Sequence, residues 1–230
     1  GDVGDLGQPR RGGAHIKRSA CYVDKEHVSS LAWLGDTASD RTRYRDGLTL
    51  QILVKVTTQI LEVRVEISGK KVVVIGGASG MGRASAELLH QRGAQVAVLD
   101  RESSDGKAVA DGIDGKFYPV DVTDFAGTEQ ALQAAVDDLG GLHVTVTTAG
   151  GGIAKRTMTK SGPHDLESFQ SVIDLNLIAT FNISRLAAAH MAKNDPEDDE
   201  RGVIINTASI AAFEGQIGQV AYTAAKAGIA

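Results

Sequence analysis

A chain of 230 residues can bury one full core with at most a small extra unit, and its 27 glycines point to many tight turns. The net charge of −5 argues against a nucleic-acid partner, and the single cysteine, Cys21, excludes an internal disulfide or a cysteine-based zinc cluster. The six histidines lack ligand spacing, so no metal site is expected, and no run of about 18 apolar residues suggests a membrane partner. Arg10 and Arg11 are not followed by an apolar segment, so no secretory leader is expected and the expected location is cytoplasmic.

The sequence begins at Gly1, and its first methionine is Met81, so it reads as a fragment. Residues 1–68 read as an N-terminal extension. Residues 1–47 mix Gly, Arg, Asp and Ser and show no strand or helix period beyond a turn near residues 28–34, which favours disorder or irregular surface structure. Residues 48–67 (LTLQILVKVTTQILEVRVEI) are β-branched and roughly alternating, and read as a hairpin across Thr57-Thr58 or as one long helix. A start at Val65 would place an ordinary N-terminus just ahead of the next unit.

That unit, residues 69–230, opens with the apolar run 71–75 (KVVVI), which suits a parallel strand buried on both faces. Glycines follow at 76, 77, 80 and 82, then a helix over 83–92 with apolar spacing at Ala84, Leu88 and Leu89. Gly93 is its C-cap, and a second strand over 95–99 ends in Asp100. Strand, glycine turn, helix, strand and acid make a dinucleotide-binding pattern. The glycines allow close approach to a pyrophosphate, and the helix N-terminus offers N–H groups and a positive dipole. Asp100 suits a ribose 2′-hydroxyl and repels a 2′-phosphate, so NAD is expected over NADP.

A third strand is expected at 117–120, followed by Asp121-Val122 and a helix over 124–139 capped by Thr123 or Asp121. The fourth strand, 143–147, ends in Thr147-Thr148-Ala149-Gly150. Residues 151–164 form a polar loop whose Lys155, Arg156 and Lys160 either cover a cofactor, meet an anionic substrate, or are simply solvated. A long amphipathic helix over 165–190 carries Leu166, Phe169, Val172, Ile173, Asn176, Leu177, Thr180 and Phe181 on one stripe, and a buried Asn176 needs partners. An acidic turn, 194–202, leads to a fifth strand, 203–206, with Ser209 just beyond it. Tyr222 and Lys226 lie four residues apart, one helical turn on the same face, thirteen residues past Ser209. An ammonium so placed stabilises a phenolate.

The G-x-x-x-G-x-G turn together with the downstream Tyr-x-x-x-Lys resembles the short-chain dehydrogenase/reductase family, and the resemblance runs from residue 71 to 230. It implies an α/β Rossmann-type fold, a doubly wound parallel sheet with helices on both faces, here lacking its last strands. It also implies an NAD site at Gly76, Ser79, Gly80, Met81, Gly82, Asp100, Asp121, Val122, Thr148, Ala149 and Gly150, completed by Tyr222 and Lys226. Tyr222 is implied as general acid/base and Lys226 as its partner. Ser209 would hold the substrate oxygen, with Tyr222 also touching substrate, and Asn176 would hold a relay water. Two departures stand out: Ile75 replaces the usual Thr, and Thr147-Thr148 replaces the usual Asn pair.

Within the family, the segment 203–218 (VIINTASIAAFEGQIG), the acidic insertion and the long loop resemble the type-2 3-hydroxyacyl-CoA dehydrogenase branch, also called 17β-hydroxysteroid dehydrogenase type 10. This implies oxidation of a secondary alcohol, a 3-hydroxyacyl-CoA or similar small molecule, in a homo-oligomer when full length. The alternatives are a 3-oxoacyl reductase, a hydroxysteroid dehydrogenase, or an inactive fragment or scaffold with an open edge at the fifth strand.

Overall fold

The computed structural model describes residues 20–21, 66–197 and 199–230. The expectations for the helical turn near 28–34 and a start at Val65 lie outside these residues, as do those for disorder over 1–47 except at 20–21 and for strands or a helix over 48–67 except at 66 and 67, which are in neither. The elements are β1 (Ala20–Cys21), β2 (Lys71–Ile75), α1 (Gly80–Gln91), β3 (Gln95–Asp100), α2 (Gly106–Gly112), β4 (Lys116–Pro119), α3 (Phe125–Leu139) and β5 (Val144–Thr147). A small hairpin, β6 (Met158–Thr159) with β7 (Gly162–Pro163), precedes α4 (Leu166–Ile173). A π-helical segment (Asp174–Ile178) joins α4 to α5 (Ala179–Met191), and β8 (Val203–Asn206), a 3₁₀ turn (Ile210–Ala212) and α6 (Val220–Ile229) complete the chain.

The main sheet has the order β1-β8-β5-β2-β3-β4, and every pairing in it is parallel. Its centre explains why residues 71–75 show no alternation. Val73 and Ile75 face one core, packed with Leu132, Ala135 and Val136 of α3 and with Ile183, Ala187 and Met191 of α5. Val72 and Val74 face the other, with Ala86 of α1 and Val109, Ala110 and Ile113 beyond. Both faces of β2 are therefore covered. Each such fully buried aliphatic side chain contributes about 1.5–3 kcal/mol.

The chain runs outward through β2, β3 and β4, then returns to place β5 on the other side of β2. This reversal opens a crevice beyond the carboxyl ends of β2 and β5, where ligands of open α/β sheets bind. Gly76–Gly82, Asp100, Asp121–Val122 and Thr148–Gly150 follow or end strands β2, β3, β4 and β5 on this side of the sheet.

Several boundaries and faces differ from expectation. Helix α1 begins at Gly80, inside the glycine turn, and buries Gly82 and Ala86, while Ala84 and Leu88 are exposed. Asp124 caps α3 by accepting from Gly127 N–H at 3.0 Å, so neither Thr123 nor Asp121 is the cap. The ring of His143, expected in strand β5, instead accepts from Lys71 N–H at 3.1 Å. The helix expected over 165–190 is one run, Leu166–Met191, interrupted by the π segment. The buried stripe runs through Val172, Asn176, Ala179 and Ile183, at ordinary helical spacing, while Leu166 and Phe181 lie off it and are exposed. This run is long and apolar enough by composition to cross a bilayer, and its inner face packs on the sheet. At the other edge, Ala20–Cys21 pairs with Ile205–Asn206. No strand was expected there, and β8 was expected to be an open edge.

Candidate active site

The glycine turn is shaped by contacts that only hydrogen side chains permit. Gly76 has φ +81 and donates its N–H to Leu99 O at 2.8 Å. A Cβ on Gly82 would lie 2.1 Å from Gly76 O and 2.5 Å from Thr148 Oγ1. The first turn of α1 therefore sits directly on the loop. Above it the surface is open: a Cβ on Gly80 (φ +50) would meet nothing within 4 Å, and Ser79, Gly80 and Met81 are exposed. Ser79 makes no side-chain cap, which leaves N–H groups of the first turn for an anion.

Asp100 closes the turn from β3. Its Oδ2 accepts from Ala78 N–H at 2.9 Å and its Oδ1 from Arg101 N–H at 2.7 Å. Each oxygen keeps a further lone pair. Thr148 closes the turn from β5, where its hydroxyl donates to Gly76 O at 3.1 Å and Ile75 O at 3.2 Å. The brace that Ile75 cannot supply thus comes from the neighbouring strand. Thr147, by contrast, has a buried hydroxyl without a partner among the described residues.

Asp121 accepts from the hydroxyl of Thr123 at 2.6 Å and from its N–H at 2.9 Å. The Thr123 hydroxyl bond, then its backbone bond, holds this carboxyl below the usual range. The Val122 side chain belongs to the core, so only its backbone faces outward.

The polar residues of the last third converge beside this turn. Asn176, fully buried, lies in the π segment. Its Nδ2 donates to Gly151 O at 2.7 Å and Val172 O at 2.8 Å, while its Oδ1 accepts from Gly151 N–H at 3.2 Å. A bulged turn frees the Val172 carbonyl for this side chain. A Cβ on Gly150 would stand 2.7 Å from Asn176 Oδ1 and 3.5 Å from Lys226 Nζ. Lys226 is buried, donates to Thr207 O at 2.7 Å, and lies 5.6 Å from the Tyr222 ring centroid. Burial pulls its pKa below that of an ordinary lysine. A Cβ on Gly152 would touch the Tyr222 ring at 3.3 Å. Ser209 sits two residues past Thr207 and caps the 3₁₀ turn, its Oγ accepting from Ala211 N–H at 3.2 Å, and that turn packs on α6.

The structure thus brings Asn176, Gly150, Lys226 and Tyr222 into one contiguous group and joins it through Thr148–Gly150 to the glycine turn. The profile described as short chain dehydrogenase matches residues 70–230. The chain belongs to the short-chain dehydrogenase family.

Among relatives, the chain is 50% identical over 162 residues to 3-hydroxyacyl-CoA dehydrogenase type-2 of Drosophila melanogaster, covering 68% of this chain and 64% of that one. It is 46% identical over 168 residues to the Homo sapiens protein of the same name, covering 71% and 64%. A solved structure of 3-hydroxyacyl-CoA dehydrogenase type-2 from Mycobacterium avium matches with TM-score 0.67 and 41% identity, over 72% of this chain and 67% of that one. The chain spans about 64% of the length of these curated relatives.

Some members of this candidate site were not singled out from the sequence. Thr207 takes the Lys226 ammonium on its carbonyl and donates its own hydroxyl to Thr147 O at 2.8 Å. Gly152 borders Tyr222. The signal for both was weak, since a backbone carbonyl has no side-chain signature and Gly152 is one of three glycines in a row. In the basic loop, Lys155 is paired with Asp165, while Arg156 and Lys160 are exposed and make no ion pair with a described acid.

Proposed function

We propose that this chain carries the cofactor half and the acid/base group of an NAD-dependent dehydrogenase that oxidises a secondary alcohol to a ketone. A 3-hydroxyacyl-CoA is the substrate class we favour. The observation that carries the proposal is the buried Lys226 ammonium, fixed on Thr207 O, packed beside Gly150 and 5.6 Å from the Tyr222 ring.

The residues present suit a dinucleotide. The turn at Gly76–Gly82 has no room for side chains where it meets Thr148, yet is open above Gly80 and uncapped at Ser79. Gly76, Ser79, Gly80, Met81 and Gly82 would hold a pyrophosphate, and the fixed Asp100 carboxylate a ribose hydroxyl. Asp121 and the Val122 backbone would meet the adenine, and Thr148, Ala149 and Gly150 the other ribose. Asp100 favours NAD, because its charge is held in place by Ala78 and Arg101 N–H groups and would repel a 2′-phosphate. NAD, when bound, supplies the hydride acceptor.

The chain's own residues handle the proton. Tyr222 takes the alcohol proton as general base and returns it to the carbonyl oxygen in the reverse direction. Ser209 donates to the substrate oxygen, where negative charge develops. Lys226 supplies a positive charge next to Tyr222. Asn176 spends both amide protons on Gly151 and Val172 carbonyls, and so holds the loop beside the site. Its Oδ1 accepts one bond and keeps room for a relay water.

The test is the rise of NADH absorbance when the chain is mixed with NAD and a 3-hydroxyacyl-CoA. Turnover with NAD well above that with NADP supports the reading. Absence of turnover, despite NAD binding, with every secondary alcohol tried would refute it.

A further inference from the structure

We propose that Lys155 is a positioning residue whose ion pair with Asp165 at the start of α4, together with its backbone bond to Gly218 before α6, latches the 151–164 loop between the two helices and so sets where Tyr222 presents its hydroxyl to substrate. The inference rests on the dehydrogenase reading above, and extends it to a residue outside the acid/base group.

The argument starts from the three glycines, Gly150 to Gly152. Each touches a different part of the site: Gly150 borders Asn176 and Lys226, Gly151 exchanges hydrogen bonds with Asn176, and Gly152 lies against the Tyr222 ring. A run of glycines has no stiffness of its own, and ordering it costs more backbone entropy than ordering any other sequence. Its upstream end is held by strand β5. Something must hold its downstream end.

Lys155 does so in two directions. Its backbone N–H donates to Gly218 O at 2.7 Å, and the residue pairs in parallel with Gln219. Gln219 is the N-cap of α6, Thr223 N–H bonds back to its carbonyl at 2.8 Å, and Tyr222 follows three residues later. Gly218 has φ +82, a conformation in which a side chain would be strained, so this carbonyl is aimed by a glycine. The Lys155 side chain reaches the other way, to the Asp165 carboxylate. Asp165 is itself fixed as the N-cap of α4, accepting from Ser168 N–H at 2.7 Å, and α4 runs into the π segment that carries Asn176. One residue therefore ties together the loop, the start of the Tyr222 helix and the start of the Asn176 helix.

The ion pair is partly solvated, with side chains 37% and 45% exposed. Exposed pairs add little to global stability. Its effect belongs in the placement of Tyr222, where a small displacement is costly to rate. Of the three basic residues for which cofactor cover, an anionic substrate or plain solvation were the alternatives, Lys155 is thus already paired, while Arg156 and Lys160 are exposed.

The test uses Lys155→Met, which keeps the apolar stem, and Asp165→Asn, which keeps a good helix cap. Each is expected to lower kcat/KM for the alcohol by about tenfold while NAD affinity stays within about twofold. The double variant should be no worse than either single one, and Lys155→Arg should recover most of the loss. Amide exchange at Lys155 reads the latch without turnover, and should be about tenfold faster in both variants. Faster exchange in a chain that turns over no alcohol would support the latch and count against the dehydrogenase reading. Unchanged exchange, or kcat/KM within about twofold of the parent in both variants, would overturn the latch.

Discussion

The hydroxyl of Thr148 is the most economical place to probe how this chain holds its glycine turn. Thr148→Val replaces the hydroxyl by a methyl group of nearly the same volume, so packing is conserved while the bonds to Gly76 O and Ile75 O are lost. Ile75 O retains the Thr148 and Ala149 N–H groups at 2.8 and 3.2 Å, whereas Gly76 O is left facing a methyl. Leaving such an acceptor unpaired in a half-buried site costs about 1–2 kcal/mol. For a folded unit of this size, about 1 kcal/mol corresponds to roughly 2–4 °C in Tm, so the expected fall is about 2–8 °C. NAD affinity should fall too, because the unpaired carbonyl belongs to the turn that would face the pyrophosphate. Scanning calorimetry and calorimetric titration with NAD measure the two effects, and Thr148→Ser, which keeps the hydroxyl, should recover most of both. A Thr148→Val chain with parental Tm and NAD affinity would refute the idea that this hydroxyl braces the turn.

Two further outcomes follow from other contacts. Asp100→Ser removes the carboxylate that Ala78 and Arg101 hold in place, and should weaken NAD binding by about tenfold or more while narrowing the preference for NAD over NADP, as read by parallel titrations. His143 is held neutral by burial first and by Lys70 and Lys71 next, so its folded pKa lies below its unfolded one. Its contribution is complete above the unfolded value of about 6.5 and fades as pH falls through the folded value. Tm should therefore decline more steeply below about pH 6.5 in the parent than in His143→Asn, whose amide oxygen can take the Lys71 N–H without titrating.

The parts of this protein that were legible in its sequence are those whose chemistry is carried by side chains at short spacing. The run 71–75, the glycines and Asp100 read directly as a strand, turn and strand because burial on both faces demands continuous β-branched residues and a turn on phosphate demands glycine. Tyr222 and Lys226 were legible for the same reason, being one helical turn apart. Asn176 was recognisable as a polar residue on an apolar stripe, but the stripe itself was misplaced. The buried stripe runs through Val172, Asn176, Ala179 and Ile183, and the bulky Leu166 and Phe181, counted on it for their apolar character, lie off it and are exposed. The face of α1 was misread because Gly82 and Ala86, small residues, fill the close contact where larger ones would not fit. The Lys155–Asp165 pair, the Thr207 carbonyl and the pairing of Ala20–Cys21 on β8 join distant segments, and nothing local marks such partners.

The central claim is that the Tyr222 hydroxyl moves the substrate proton at a site whose affinity for NAD changes little without it. Tyr222→Phe keeps the ring against Gly152 and removes only the hydroxyl. The account predicts NAD affinity within about twofold of the parent and a loss of turnover of about a hundredfold or more, measured by NADH formation from a 3-hydroxyacyl-CoA. Turnover at the parental rate in Tyr222→Phe would contradict it.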